Sequence, residues 1–213
     1  MKNPLESPWQ TLGLGVVLTV VLAFVAKALI GMSSPEIPAP MSFAPQADLI
    51  LRWLHFLFGF TWIGLLYYFN LVQVPSMKVI GAEAKTEMFK EGSLVRTALF
   101  FFRWSALATV LVGFLLLELN SKGRLSSTAM MLQGPVAPLG IGVWLGVIMM
   151  INVWVFIWPN QKKVLGIVEA TADEKAKAGR TALLVSRTNF MLSVPMLFFM
   201  ESYSHGFQAL MGN

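Results

Sequence analysis

The chain has 213 residues, of which 56% are hydrophobic and 13% charged, with a net charge of +5 and no cysteine. A soluble domain carries about 25% charged residues, so a water-soluble globule is excluded, and the missing cysteines exclude disulfides, iron–sulfur clusters and covalently attached haem c. The positive charge carries no nucleic-acid signature, because the lysines and arginines sit beside the ends of apolar runs without interleaved aromatics to stack bases.

Five apolar segments are each long enough to cross ~30 Å of hydrocarbon, which takes about 20 helical residues. They lie near 9–30, 49–74, 94–119, 136–158 and 181–203. None shows the ten-residue alternation of a membrane barrel. The sequence therefore predicts an all-α integral membrane protein, one domain over 1–213, built as a five-transmembrane-helix bundle. The first segment is longer than the apolar core of a secretory signal and is expected to be an uncleaved span.

The connections give an orientation. GMSSPEIPAPMSFAPQ, between spans one and two, has no Lys or Arg. The next connection has Lys78, Lys85, Lys90 and Arg96, the third only Lys122 and Arg124, and the fourth Lys162, Lys163, Lys175, Lys177 and Arg180. With Lys2, ten basic residues fall on one side and two on the other. The positive-inside rule then predicts a cytoplasmic N-terminus and an outer C-terminus.

Both basic connections have helical features. Val79, Ile80, Ala84, Met88 and Phe89 recur at three- and four-residue intervals, and Thr171-Ala-Asp-Glu174 has the form of a capping box. These segments either extend the neighbouring spans or lie on the headgroup surface, and solvated connectors are the alternative. A repeat is also visible. Lys78-Val-Ile-Gly81 precedes Arg96-Thr-Ala-Leu-Phe-Phe-Phe-Arg103, as Lys163-Val-Leu-Gly166 precedes Arg180-Thr-Ala-Leu-Leu-Val-Ser-Arg187, with Pro75 and Pro159 ahead of each. Duplication of spans two–three as spans four–five, a parallel repeat, is favoured over chance similarity.

Two constellations can carry chemistry. In LRWLHFLFGFTWIG, residues 51–64, Arg52, His55, Gly59 and Trp62 share one helix face. A neutral imidazole ligates haem iron, a glycine one turn away leaves room for a flat macrocycle, and an arginine can pair with a propionate. The other histidine, His205, lies past the end of span five on the same side of the membrane, as a bis-His haem b requires. The alternative is an interfacial His55 beside Trp53 with His205 in a tail. The second constellation is Arg103 and Arg187, each seven residues beyond a partner, Arg96 or Arg180. With Asn152 and Asn189 at similar depth they are a candidate anion site; the alternative is snorkelling to lipid phosphates.

Arg52-Trp-Leu-His-Phe-Leu-Phe-Gly-Phe-Thr-Trp-Ile-Gly64, Asn152-Val-Trp-Val-Phe-Ile-Trp-Pro-Asn-Gln-Lys-Lys163 and Ser186-Arg-Thr-Asn-Phe-Met-Leu-Ser-Val-Pro-Met-Leu-Phe-Phe-Met200 resemble the membrane domain of the bacterial cytochrome-c-linked urate oxidase (urate hydroxylase) family. His55 with Trp62 is also similar, more weakly, to the haem-binding helix of membrane protoporphyrinogen oxidases. The first resemblance implies a redox protein of the bacterial inner membrane in purine catabolism, an oxidoreductase or an electron-transfer subunit, with a urate-like anion at Arg103 and Arg187. Such oxidases have a longer membrane domain and a C-terminal cytochrome c; this sequence ends at Asn213 without a cysteine, so a separate cytochrome or membrane subunit is the expected partner. The leading expectation is a redox subunit holding haem b through His55 and His205 and relaying electrons. A non-catalytic structural subunit of a larger membrane complex is the alternative, and an anion transporter is a third class that the unbroken spans disfavour.

Overall fold

The computed structural model describes residues 3–32, 45–119 and 124–202. Every regular element among them is helical. A short 3-10 turn (Pro4–Glu6) leads into α1 (Pro8–Met32), followed by α2 (Pro45–Tyr67), α3 (Val74–Ser76), α4 (Ala82–Phe89) and α5 (Leu94–Leu119). After these come α6 (Arg124–Met130), α7 (Ala137–Ile151), α8 (Trp158–Val164) and α9 (Ala172–Ser202). Among the described residues, five helical stretches are long and apolar enough to cross a membrane: Trp9–Leu29, Ala47–Ser76, Leu94–Leu119, Gly134–Val164 and Ala172–Glu201. The all-α bundle expected from the sequence is therefore present, with its second, fourth and fifth members longer than the apolar runs alone.

Two π-helical segments interrupt the second and fourth spans. The first π turn (Tyr68–Gln73) joins α2 to α3, and the second (Asn152–Ile157) joins α7 to α8. Each ends just ahead of a proline, Pro75 or Pro159. A proline inside a helix has no N–H to donate and its ring pushes away the carbonyl four residues back, here Leu71 or Val155. The chain widens instead of breaking: Val74 N–H reaches Phe69 O, and Trp158 N–H reaches Val153 O, five residues back.

The fifth span begins well outside the apolar run because of its cap. Thr171 N–H donates to Glu174 Oε2 at 2.8 Å, and Glu174 N–H donates to Thr171 Oγ1 at 3.3 Å. This reciprocal capping box satisfies N–H groups at the helix start, and α9 runs on through Pro195 for 31 residues. The segment before α5 forms the separate helix α4 rather than an extension of that span.

In lipid, burying apolar surface does not drive helices together, so close approach and polar links must. α2 packs along α5, α7 and α8 pack along α9, and α1 packs along α9 and touches α7. The shared core draws Trp62, Leu66 and Phe69 from the second span and Leu99, Phe102 and Ala106 from the third. Met149, Val153, Ile157 and Met196 complete it from the other hairpin. Glycine allows close approaches between helices: a Cβ on Gly142 would stand 3.1 Å from Met200 N, and one on Gly15 would stand 2.6 Å from Met191 O.

Candidate functional site

His55 lies early in α2, half-buried against α5. Its Nδ1 is 3.0 Å from the backbone carbonyl of Thr109. A carbonyl can only accept, so Nδ1 carries the proton and Nε2 is the basic nitrogen of the neutral ring. That is how proteins commonly orient a metal-ligating histidine. The close approach is allowed by Gly113, one turn beyond Thr109, where a Cβ would fall 2.9 Å from His55 Cε1 and 3.2 Å from Nδ1. Gly59, the glycine expected to make room on α2 itself, faces a looser neighbourhood, with Thr109 Cγ2 3.8 Å from the position of a Cβ.

Trp62, two turns beyond His55, is buried, and its indole N–H has no partner. Arg52 is an exposed residue whose Nε donates to Asp48 Oδ2 at 2.6 Å. An exposed i,i+4 pair of this kind is worth about 0.3–0.5 kcal/mol, so a stronger anionic partner can take Arg52 from Asp48 at little cost. His205 lies outside the described residues. Among the described residues no cluster of three or more His, Asp or Glu is placed to hold a bare metal ion. Were haem held here, Nε2 of His55 would be the nitrogen to bind its iron, whereas the indole N–H of Trp62 is enclosed in the apolar core.

Near the basic loops the arginines separate into two environments. Arg103 lines a cleft of about 510 Å³ with Glu91, Arg96, Phe100, Trp158 and Ile167. Its Cζ sits 3.9 Å from the Trp158 ring centre and 5.2 Å from that of Phe100, a cation–π arrangement. Trp158 therefore serves as a face for Arg103. Arg96 is spent on backbone carbonyls, donating through Nε to Phe89 O at 2.8 Å and through Nη2 to Leu165 O at 3.0 Å. Arg180 pairs with Glu6 at 2.9 Å.

Arg187 is in the core and only 3% exposed. Its Nη2 lies 3.5 Å from the carbonyl of Asn70, in the first π turn, while Nε and Nη1 have no partner. Arg187 does not line the cleft of Arg103. Asn152 and Asn189 bind each other: Asn152 Nδ2 donates to Asn189 Oδ1 at 2.8 Å, and Asn189 Nδ2 donates to Met149 O at 2.9 Å. They clamp the second π turn to α9.

Thr109, Gly113, Phe100 and Trp158 are site residues that periodicity on single helices does not find. One signal was available. Ser105, Thr109 and Gly113 recur every fourth residue, a small-residue face on α5 of the kind that admits a neighbouring helix.

Residues 124–211 match the family model described as urate oxidase N-terminal, so this part of the chain is similar to a urate oxidase N-terminal domain. The match covers the quoted motifs at 152–163 and 186–200 and leaves the motif around His55 outside it. No curated protein and no solved structure matches the chain.

Proposed function

We propose, from the urate oxidase N-terminal-like character of residues 124–211, that the protein is a redox subunit of a bacterial inner membrane. In this reading it binds haem b near the outer face and passes electrons to a cytochrome or partner subunit. The single observation that carries the proposal is His55, whose Nδ1 is tied to Thr109 O at 3.0 Å so that Nε2 is left as the basic nitrogen. Haem held there supplies a one-electron carrier. The protein's own residues do the rest. Thr109 fixes the ring orientation and its tautomer, and Gly113 clears space for the ring. His205 is the second ligand this reading proposes.

Placing the site outside rests on the charge of the connections, which puts the N-terminus in the cytoplasm. The parallel repeat is supported by register. One spacing separates Tyr68 from Asn152, Pro75 from Pro159, Arg96 from Arg180 and Arg103 from Arg187, and the two π turns obey it. The contacts across the hairpins obey it as well. The Asn70 carbonyl meets Arg187, and Trp154, at the place equivalent to Asn70, donates its indole N–H to Arg103 O at 3.2 Å. Gly81 and Gly166 depart from it: Gly166 has φ +68 at the end of α8, whereas Gly81 has φ −65 before α4.

The test is a reduced-minus-oxidised spectrum of the purified protein and of His55→Ala. The reading expects b-type bands in the wild type and their loss in the variant; bands absent from the wild type, or unchanged in the variant, overturn it. The second reading is a scaffold subunit, favoured by the exposed aromatic face of Trp53, Phe56 and Phe60 on α2. It expects no haem bands and stoichiometric co-purification with a larger complex.

A further inference from the structure

Among the described residues, Arg187 is the one cation buried in the core whose donors are largely unused. A guanidinium has five N–H donors, and here a single long contact to Asn70 O is the only hydrogen bond. None of the ion pairs among the described residues includes it. A charge at membrane depth without a counter-charge is costly, and water alone does not neutralise it. The π turn whose Asn70 carbonyl meets Arg187 also contains unmet acceptors. Asn70 Oδ1 and Gln73 Oε1, both in the first π turn, are buried without partners. The Asn70 amide cannot be turned to offer its N–H groups instead, because Nδ2 already donates to Leu66 O at 2.8 Å and to Ser186 Oγ at 3.0 Å.

Unmet donors on a cation beside unmet neutral acceptors specify a ligand that is anionic and also carries a proton to give. Chloride and sulfate have no such proton near neutral pH; a protonated phosphate or a phosphomonoester does. A helix widened to a π turn is also where ligand sites recur. We propose that Arg187, with Asn70 and Gln73 of the first π turn, forms a buried site for one protonated phosphate group, drawn from solution or from a phosphomonoester lipid headgroup. Arg187 forks its N–H groups to the phosphate oxygens, and Asn70 Oδ1 accepts from the phosphate O–H. The site is independent of haem at His55, which lies fifteen residues earlier on the same span, roughly 20 Å along the helix axis. Arg103, at the equivalent place in the other hairpin, has its guanidinium on the Trp158 face and takes no part.

The experiment uses the full chain in nanodiscs of neutral phosphatidylcholine, with the thermal midpoint followed against sodium phosphate and against sodium sulfate at matched ionic strength. Phosphate raises the midpoint saturably, by about 2–6 °C well above the dissociation constant, and sulfate does not. Arg187→Met abolishes the rise and Arg103→Gln retains it. Asn70→Asp, which puts a carboxylate beside Arg187, gives a folded protein that ignores phosphate, and it stands in should Arg187→Met not fold. Nanodiscs doped with phosphatidic acid distinguish the source: a rise there without added phosphate, lost in Arg187→Met, assigns the site to a headgroup. No rise with either phosphate source, an equal rise in Arg187→Met, or a sulfate response equal to that of phosphate overturns the proposal.

Discussion

A histidine whose Nδ1 is bonded to a carbonyl has one nitrogen left for chemistry, and at His55 that nitrogen is Nε2. Two glycines near it predict opposite outcomes. Gly113→Leu drives a side chain into the imidazole, since a Cβ there already falls 2.9 Å from Cε1. The variant should lose most bound haem, read as the haem-to-protein ratio after purification. Gly59→Ala meets nothing closer than 3.8 Å and should retain the wild-type ratio. Equal retention by both variants would show that the ring does not sit where haem chemistry requires it. Arg52→Ala breaks only an exposed pair, so its effect on thermal stability should be under about 0.5 kcal/mol.

At the scale of elements, the capping box explains why α9 begins in the basic connection. Thr171→Ala removes the acceptor for Glu174 N–H, and N-cap losses of this type cost about 1 kcal/mol. The thermal midpoint should fall by about 2–4 °C, without loss of haem; an unchanged midpoint would mean that the first turn of α9 contributes nothing to stability. This cap was legible in the sequence because it is local, as were the five apolar spans. The π turns were not read from it. Pro75 and Pro159 were visible, but whether proline kinks, ends or widens a helix depends on what packs beside it, and here α9 and α5 hold the chain in line. Likewise Arg103 and Arg187 have the same sequence spacing from Arg96 and Arg180, yet one rests on Trp158 and the other is buried beside Asn70. That difference arises between helices, which periodicity on one helix cannot report. Arg52 and Gly59 were read from the face of α2 alone, and the contacts that bear on His55 come from Thr109 and Gly113 across on α5.

At the scale of the whole molecule, two hairpins share one core, and the helices within each approach closely at small residues. Gly142 is one such place inside the second hairpin, where a side chain would press on the backbone of Phe199 and Met200. Backbone cannot yield as a flexible side chain can, so Gly142→Val should destabilise the second hairpin by about 1–3 kcal/mol, seen as a lower thermal midpoint. The charge of the connections predicts that a periplasm-active reporter works when fused to the C-terminus and is silent at the N-terminus; the reverse pattern would move the His55 end to the cytoplasm. The central claim, haem on His55, is tested most directly by a pyridine haemochrome assay on the purified full chain and on His55→Ala. The account predicts b-type haem near one per chain in the wild type and almost none in the variant. A colourless wild type, or a variant that keeps its haem, contradicts it.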